Sequence, residues 1–259
     1  MSKSAATIFG YPISCRGING DINYAINLLT SRRFGQYVAC ANPHSLVMAS
    51  RNRAFSEALQ QADLLLPDGE GILLAARALH LPIKQRVTGS EFFLGLTMAL
   101  SEAGGARYFF LGSTEHVLML MTERISKEYP NITVCGTLSP PFKDEFSDDD
   151  NRNMVAAVNA AQPHVLWVGM TAPKQEKWIL ANRDKLQVPF IGAIGAVFDF
   201  YAGTKKRSSI FWQRLGLEWL PRFFREPKRL WERNLKSSPI FLYWIAREMI
   251  RKRLCPHPF

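Results

Sequence analysis

The chain has 259 residues, of which 47% are apolar and 21% charged, and this is the composition of an ordinary globular protein. No segment approaches the roughly 18 to 20 consecutive apolar residues that span a bilayer, and the N-terminus lacks the apolar stretch of a secretory signal, so we expect no membrane crossing. Four separated cysteines without a CxxC pair argue against a zinc knuckle or a disulfide scaffold and predict a reducing, cytoplasmic environment.

The net charge of +10 is confined to the C-terminal part of the chain. Residues 204–253 hold fourteen Lys or Arg and four Glu, so the rest of the sequence is neutral. Four of the six tryptophans lie in the same stretch, and Pro221 and Pro227 divide it into two or three short helices. We therefore expect an α/β core over residues 1–203 and a basic, aromatic helical appendage over residues 204–259.

Short apolar runs alternate with helical patterns throughout residues 1–203. This alternation is typical of βαβ units and predicts a largely parallel sheet with helices on both faces. The predicted strands are residues 37–41, 64–66, 108–111, 133–136, 165–168 and 190–194. The predicted helices are residues 42–61, 71–79, 88–104, 115–129 and 151–161, with another that begins near Pro173.

Three predicted strands turn on glycine, at Gly112, at Gly169 and from Gly192 to Gly195. In doubly wound sheets a ligand binds beyond the carboxyl ends of the strands, where glycine lets backbone N–H groups approach a phosphate. These turns favour a nucleotide or a sugar nucleotide, although each glycine could instead serve only a tight turn. None belongs to a GxGxxG pattern followed by an acidic residue, so a dinucleotide site is poorly supported.

Asp68 directly follows a predicted strand and precedes Gly69. A carboxylate at the carboxyl end of a strand, beside glycines that leave room for a ligand, is well placed to act as a general base. The alternative is an aspartate that caps the next helix. Cys40 and Asn42 end the preceding strand and are expected to face the same crevice, while His44 could be a base, a cap or a surface residue.

The stretch GMTAPKQEKWI, residues 169–179, crowds polar residues into a strand-to-helix turn. Pro173 suits the first turn of a helix, and Lys174, Gln175 and Glu176 then project from that turn. The lysine could neutralise a phosphate and the glutamine could bind a sugar. The alternative is a capped helix with a solvated polar face, and the residues alone do not decide between the two.

Asp148, Asp149 and Asp150 contain the DxD spacing with which many glycosyltransferases hold a metal ion. They follow a polar loop rather than an apolar strand. Their expected role is therefore to complement the N-terminus of the next helix, and no metal site is predicted.

An ordered set of sequence blocks carries a resemblance to a known family. Over nearly its whole length the chain resembles the WecG/TagA/CpsF family of bacterial glycosyltransferases. The blocks are Asn42, Leu66-Pro67-Asp68-Gly69, Arg86-Val87-Thr88-Gly89, Phe110-Leu111-Gly112, Tyr129-Pro130, Val168-Gly169 with Pro173-Lys174-Gln175-Glu176, residues 192–199, and Leu217-Glu218-Trp219-Leu220-Pro221-Arg222 through Glu226-Pro227 to Arg229.

The resemblance implies a Rossmann-like core and an inverting transfer of a sugar from a UDP-sugar to a polyprenyl-diphosphate-linked acceptor. The reaction is expected at the inner face of the cytoplasmic membrane, in the synthesis of exopolysaccharide, teichoic-acid linkage units or enterobacterial common antigen. Neither a metal nor another cofactor is implied. The basic, aromatic tail would close the active site and dock on anionic lipid, which suits a peripheral membrane enzyme.

The resemblance also assigns roles to individual residues. It matches Asp68 to the proposed base, Gln175 to the glutamine of the Pro-x-Gln-Glu block, and Arg222 and Arg229 to arginines near the nucleotide. Cys40 departs from a common threonine, and a thiol is the weaker hydrogen-bonding group. A lesser departure is Pro221, where an aromatic residue is common. The predicted catalytic residues are Asp68 and Gln175, and the predicted substrate-binding residues are Cys40, Asn42, Gly69, Arg86, Gly112, Gly169, Pro173, Lys174, Glu176, Gly192, Asp199, Arg222 and Arg229.

Two rival functions come from other classes. A Rossmann-like protein whose basic tail binds nucleic acid is the main alternative, although no nucleic-acid partner is expected. An NAD-dependent enzyme is the other, and the missing glycine fingerprint counts against it. The identities of the donor and acceptor sugars are left open, and so is the oligomeric state, with self-association into a homo-oligomer as one alternative.

Overall fold

The computed structural model describes residues 4–31, 33–205 and 236–254. The strands are β1 (Ala5–Ile8), β2 (Tyr11–Ser14), β3 (Gln36–Ala41), β4 (Leu64–Pro67), β5 (Ala106–Gly112), β6 (Ile132–Leu138), β7 (Val165–Gly169) and β8 (Phe190–Ala193). The helices are α1 (Gly17–Thr30), α2 (Pro43–Ala49), α3 (Arg53–Gln60), α4 (Glu70–Ala78), α5 (Gly89–Glu102), α6 (Glu115–Glu128), α7 (Asp148–Ala161), α8 (Lys174–Asn182), α9 (Val197–Ala202) and α10 (Ser237–Leu254).

Six strands form one sheet in the order β4-β3-β8-β7-β5-β6, and every neighbouring pair is parallel. The predicted α/β class and parallel sheet are confirmed. Since all six strands run the same way, their carboxyl ends meet at one edge, which is called the carboxyl edge below. Strands β1 and β2 form a separate antiparallel pair that the sequence analysis did not predict.

Side chains of each strand alternate between two apolar layers. On β7, Leu166 and Val168 point into one layer and Val165 and Trp167 into the other. The first layer holds buried side chains from α2, α3, α4, α7, α8 and α10, and the second those from α1, α5, α6 and α9. Helices therefore cover both faces, which explains why the strands read as continuous apolar runs.

Local capping explains where helix bounds differ from the prediction. The single helix expected over residues 42–61 is two helices, because Asn52 caps α3 by accepting the backbone N–H of Phe55 at 3.0 Å. Helix α7 begins three residues earlier than predicted, because Ser147 and Asp150 form a reciprocal capping box. Asp148, Asp149 and Asp150 therefore lie in its first turn, as expected for acidic residues at a helix N-terminus.

Helix α10, the described part of the predicted appendage, is a single helix of 18 residues. It packs on the core: Phe241 and Ile245 are 2% and 6% exposed, and the ring of Phe9 meets that of Phe241 edge to face at 5.4 Å. At its far end the amine of Lys252 donates to the carbonyl of Leu79 at 3.1 Å. None of the helices in the described ranges is long and apolar enough to cross a membrane.

Candidate active site

Strands β3 and β4 bring an amide and a carboxylate together at the carboxyl edge. Ala41 lies opposite Pro67 in the parallel ladder, so Asn42 and Asp68 are the next residues on the two strands. The backbone N–H of Asp68 donates to the carbonyl of Ala41 at 2.8 Å, which ties the two turns together. Asn42 and Asp68 therefore occupy neighbouring positions at the carboxyl edge, and that their side chains face one crevice stays a prediction.

Asn42 and Gly69 each precede a helix at this edge. The Oδ1 atom of Asn42 accepts the backbone N–H of Ser45 at 2.9 Å and so caps α2. Helix α4 is preceded by Gly69 at φ 129°, without a side-chain cap, so Asp68 does not serve as the N-cap that was its alternative role. A Cβ on Gly71 would lie 2.3 Å from Cγ of Pro43, which shows how closely the two helix N-termini approach.

The segment before α5 completes this side of the site. The backbone N–H of Val87 donates to the carbonyl of Pro67 at 3.0 Å, which holds Arg86 next to the turn that carries Asp68. The Arg86 side chain is 17% exposed, and its Nε atom lies 3.7 Å from the carboxylate of Glu70. Thr88 and Glu91 form a capping box that fixes the start of α5. The Arg86 cation and the N-terminus of α5 thus lie at the same edge as the Asn42 amide and the Asp68 carboxylate.

Cys40 lies among these groups. Burial raises the pKa of its thiol well above the ordinary value, the carboxylates of Asp68 and Glu176 raise it further, and the backbone N–H of Gly89 opposes them. The sulfur would lie 3.3 Å from a Cβ on Gly89. Cys40 is therefore a neutral thiol wedged between the end of β3 and the start of α5.

Gln175 and Glu176 enter the site from the first turn of α8. They are 4% and 2% exposed, so the solvated polar face that was the alternative for this turn is not present at these two positions. The Nε2 group of Gln175 donates to Oε1 of Glu176 at 2.8 Å. Burial raises the pKa of Glu176 to about 7, although the bond from Gln175 and the helix N–H partly oppose the shift.

Gly195, which the sequence analysis placed in a glycine turn but did not count among the binding residues, lies against the amide of Gln175. It has φ 46°, and a Cβ there would lie 3.2 Å from Oε1 and 3.4 Å from Nε2 of Gln175. The backbone N–H groups of Ile194 and Gly195 both donate to the carbonyl of Val168, at 3.1 and 3.4 Å. The turn after β8 therefore packs directly against the side-chain amide of Gln175.

Three predicted binding glycines have a visible packing role. Gly112, at φ 123°, pairs with Gly169, and a Cβ on it would lie 2.6 Å from the backbone of Gly169. A Cβ on Gly169 would lie 2.6 Å from the ring of Phe198. Gly192 lies within β8, where a Cβ would lie 2.2 Å from the ring of Trp167. Close packing thus explains these residues, and their contact with a ligand stays a prediction.

The side chain of Lys174 contacts the loop between β6 and α7, unlike the buried side chains of Gln175 and Glu176. Its amine donates to the carbonyl of Lys143 and lies 3.9 Å from the centre of the Phe146 ring, so it is held by the loop between β6 and α7. Pro173, whose peptide bond to Ala172 is cis, stands directly before α8. The role of Lys174 towards a phosphate stays a prediction.

Two other acidic residues named in the sequence analysis, Asp199 and Asp150, have partners of their own. The carboxylate of Asp199 accepts the Lys205 amine at 2.9 Å, just after α9. Asp150 accepts the Lys143 amine at 2.8 Å. Within the described ranges, no three His, Cys, Asp or Glu side chains lie together in a way that could hold a metal ion.

The predicted arginines of the appendage, Arg222 and Arg229, lie outside the described residues. The described part of the appendage does reach the site's surroundings, because Ser237 at the start of α10 hydrogen-bonds Nδ1 of His44 at 2.8 Å. His44 belongs to the first turn of α2, which Asn42 caps. The sequence offered no signal for this contact across nearly two hundred residues.

Comparison with known proteins gives two concordant results. The model of the glycosyl transferase WecG/TagA/CpsF family matches residues 6–254. Among curated relatives, the N-acetylglucosaminyldiphosphoundecaprenol N-acetyl-beta-D-mannosaminyltransferases of Staphylococcus aureus strains MW2 and MRSA252 are each 28% identical over 211 residues. The aligned part is 82% of this chain and 80% of each relative.

The family match spans both the α/β core and helix α10, and it includes every described residue of the candidate site. The expected resemblance is therefore confirmed, and so is the class of enzyme. The chain belongs to the WecG/TagA/CpsF family of glycosyltransferases.

Proposed function

We propose that this glycosyltransferase moves a sugar from a UDP-sugar to a polyprenyl-diphosphate-linked saccharide during synthesis of a cell-surface polysaccharide. The relatives' names support the acceptor class, because they specify an N-acetylglucosaminyl diphosphoundecaprenol acceptor and an N-acetylmannosaminyl group. The observation that carries the proposal is the convergence of Asn42, Asp68, Arg86 and the buried Gln175–Glu176 pair at the carboxyl edge.

Asp68 acts as the general base in a single displacement. Its carboxylate takes the proton of the acceptor hydroxyl, whose oxygen bonds to the anomeric carbon while the bond to UDP breaks on the opposite face. The position of Asp68 supports this role, because it follows the carboxyl end of β4 directly and stands one residue before the N-cap of α4. A positioned base of this kind contributes a factor of about 10² to 10⁴ to the rate.

Asn42 and Gln175 orient the sugars, and the two amides do so with opposite groups: one with its N–H donors, the other with its carbonyl acceptor. The carbonyl oxygen of Asn42 is occupied by the α2 cap, so its amide N–H groups are the end that it offers to a ligand. The amide N–H of Gln175 is occupied by Glu176, so its carbonyl oxygen is the end that it offers. Together the pair suits a sugar hydroxyl or acetamido group that both donates and accepts.

The departing diphosphate is stabilised by positive charge around the edge. The N-termini of α2, α4 and α5 meet there, and each presents backbone N–H groups to an anion. Arg86 adds a cation beside the Asp68 turn. Arg222 and Arg229, from the part of the chain outside the described ranges, are proposed to complete the nucleotide site.

The inner face of the cytoplasmic membrane is the proposed place of the reaction, and the appendage is the proposed contact. The outer side of α10 supports this, because Leu242, Tyr243 and Ile250 are exposed there beside Arg247 and Arg251. Basic residues near an anionic surface contribute about 1 kcal/mol each, and exposed apolar side chains can enter the interface.

The test is transfer of labelled sugar from a panel of UDP-sugars to short-chain polyprenyl-diphosphate acceptors that end in N-acetylglucosamine or glucose, with and without chelator. We expect chelator-insensitive transfer with one donor and one acceptor. RNA and saccharides without the lipid diphosphate are offered in place of the lipid-linked acceptor as controls. Absence of transfer throughout the panel, or transfer that does not need the lipid diphosphate, would contradict the proposal.

A further inference from the structure

Gln175 and Glu176 form a buried polar pair at the start of α8. Both side chains are more than nine-tenths buried, and the single hydrogen bond between them runs from Nε2 of Gln175 to Oε1 of Glu176 at 2.8 Å. Adjacent residues of a helix do not normally face each other, so the contact depends on both side chains bending to the same side.

Two oxygen atoms of the pair have no hydrogen-bond partner, namely Oε1 of Gln175 and Oε2 of Glu176. A buried polar atom without a partner costs about 1 to 3 kcal/mol, so such atoms persist where a function needs them. Oε1 of Gln175 lies against the turn at Gly195, where the absence of a side chain lets the backbone pack close to the amide. This oxygen is therefore the end of the amide whose hydrogen bond is left for a ligand to make.

We propose that Glu176 is a positioning residue, whose carboxyl group holds the Gln175 amide in the orientation that presents its carbonyl oxygen to the substrate. The inference rests on the proposed sugar transfer, because the substrate group that meets Gln175 must then be a hydroxyl or amide N–H donor. Glu176 itself acts through Gln175, which differs from the direct substrate contact expected from the sequence.

The chemistry of the two side chains explains why the amide has one orientation. An amide flipped by 180° would place its carbonyl oxygen against the carboxyl oxygen of Glu176 and repel it, whereas the observed orientation pairs donor with acceptor. The charge of Glu176 helps to raise the pKa of the Cys40 thiol and that of the Tyr37 hydroxyl, so these two groups lie near it. The acceptor of the Gln175 amide at 2.8 Å is Oε1 of Glu176.

Three single variants and one double variant test the proposal by kcat/KM of sugar transfer. We expect Gln175→Ala and Glu176→Leu each to lower kcat/KM about tenfold, which corresponds to one lost hydrogen bond of about 1.4 kcal/mol. Gln175→Ala/Glu176→Leu should match Gln175→Ala within about twofold, because Glu176 has no further role once the amide is gone. Glu176→Gln keeps a carbonyl acceptor and should retain most activity.

The amide signals of Gln175 give a second readout that needs no turnover. In ¹⁵N–¹H spectra they are identified by their loss in Gln175→Ala, and we expect them to shift in Glu176→Leu and to stay close to their original positions in Glu176→Gln. Unchanged signals in Glu176→Leu would overturn the proposal. So would a fold-loss of kcat/KM in the double variant that equals the product of the two single losses. An original protein that transfers no sugar would instead contradict the proposed function, and the spectra would still decide the role of Glu176.

Discussion

The buried carboxyl of Glu176 makes the stability of the folded protein depend on pH. Its pKa is raised by burial from 4.5 to about 7, so between these values the folded state holds a proton that the unfolded state has released. The resulting contribution to stability is fully present below pH 4.5 and is lost as pH rises through 7. Asp21, buried in α1 with a pKa raised by burial to about 6, acts in the same direction.

We predict that Glu176→Gln flattens this dependence, because the amide carries no charge to desolvate. The melting temperature of the variant relative to the original protein should therefore be higher at pH 8 than at pH 5. Thermal unfolding followed by circular dichroism over this range measures the difference. Glu57→Gln, which changes an exposed carboxylate in α3, is the matched control and should show no such trend. A difference between Glu176→Gln and the original protein that is constant with pH would contradict the prediction.

Residues at strand ends were easier to predict than residues in the turn before α8. Asn42 and Asp68 could be placed together because neighbouring parallel strands end at the same edge. The first turn of α8 could not be resolved, because burial of Gln175 and Glu176 depends on the turn at Gly195 and on distant strands. The direction of Lys174 depends on the loop between β6 and α7, whose path the sequence does not reveal.

At the scale of elements, the strands β7 and β8 approach each other through Gly192 and Trp167. The large ring of Trp167 fills the space in which any other residue at position 192 would place its Cβ. These paired residues lie in the central strands of the sheet, in the layer shared with α5 and α9. The sheet therefore depends on a glycine for packing close to the site.

Gly192→Ala should lower the free energy of unfolding by about 1 to 3 kcal/mol, the usual cost of overpacking a filled core. Urea denaturation measures the loss. Trp167→Phe removes part of the ring, so Gly192→Ala should cost less in that background, and the two changes should not be additive. An equal cost in both backgrounds would show that the ring is not the cause.

Capping residues and strand length decided which elements could be predicted. Long apolar strands such as β5 and β7 were recovered, and so was α5, whose capping box at Thr88 and Glu91 is visible in the sequence. The break between α2 and α3 was missed, because Asn52 can also lie inside a helix. Strands β1 and β2 were missed because they mix apolar residues with Thr, Pro or Ser, whereas β4 and β8, which have the same length, are nearly continuous apolar runs.

At the scale of the whole molecule, α10 packs on the core with one side and exposes apolar and basic residues on the other. Its inner side joins the apolar layer that contains α2 and α4, while its outer side exposes Leu242 and Ile250 next to basic residues. Deleting residues 204–259 would strip Phe241 and Ile245 from the core as well as remove the tail. Substitutions on the outer side therefore test membrane docking better than truncation does.

We predict that the double variant Leu242→Asp/Ile250→Asp binds less to liposomes that contain anionic phospholipid, with an unchanged melting temperature. Co-sedimentation at low and at moderate salt measures the binding. Met119→Asp is the matched control, since Met119 is similarly exposed on α6, in the layer on the opposite face of the sheet. Equal loss in the control, or full binding by the double variant, would argue against docking through α10.

The central claim is that Asp68 is the base of a sugar transfer, and it is tested most directly by the single-turnover rate of Asp68→Asn with saturating UDP-sugar and lipid acceptor. Asp63→Asn is the control, because Asp63 precedes the same strand at the opposite edge, where it accepts the backbone N–H of Tyr37 at 2.9 Å. We predict a rate lowered about 10² to 10⁴-fold in Asp68→Asn and nearly unchanged in Asp63→Asn. A rate in Asp68→Asn within a few-fold of the original would contradict the proposed mechanism.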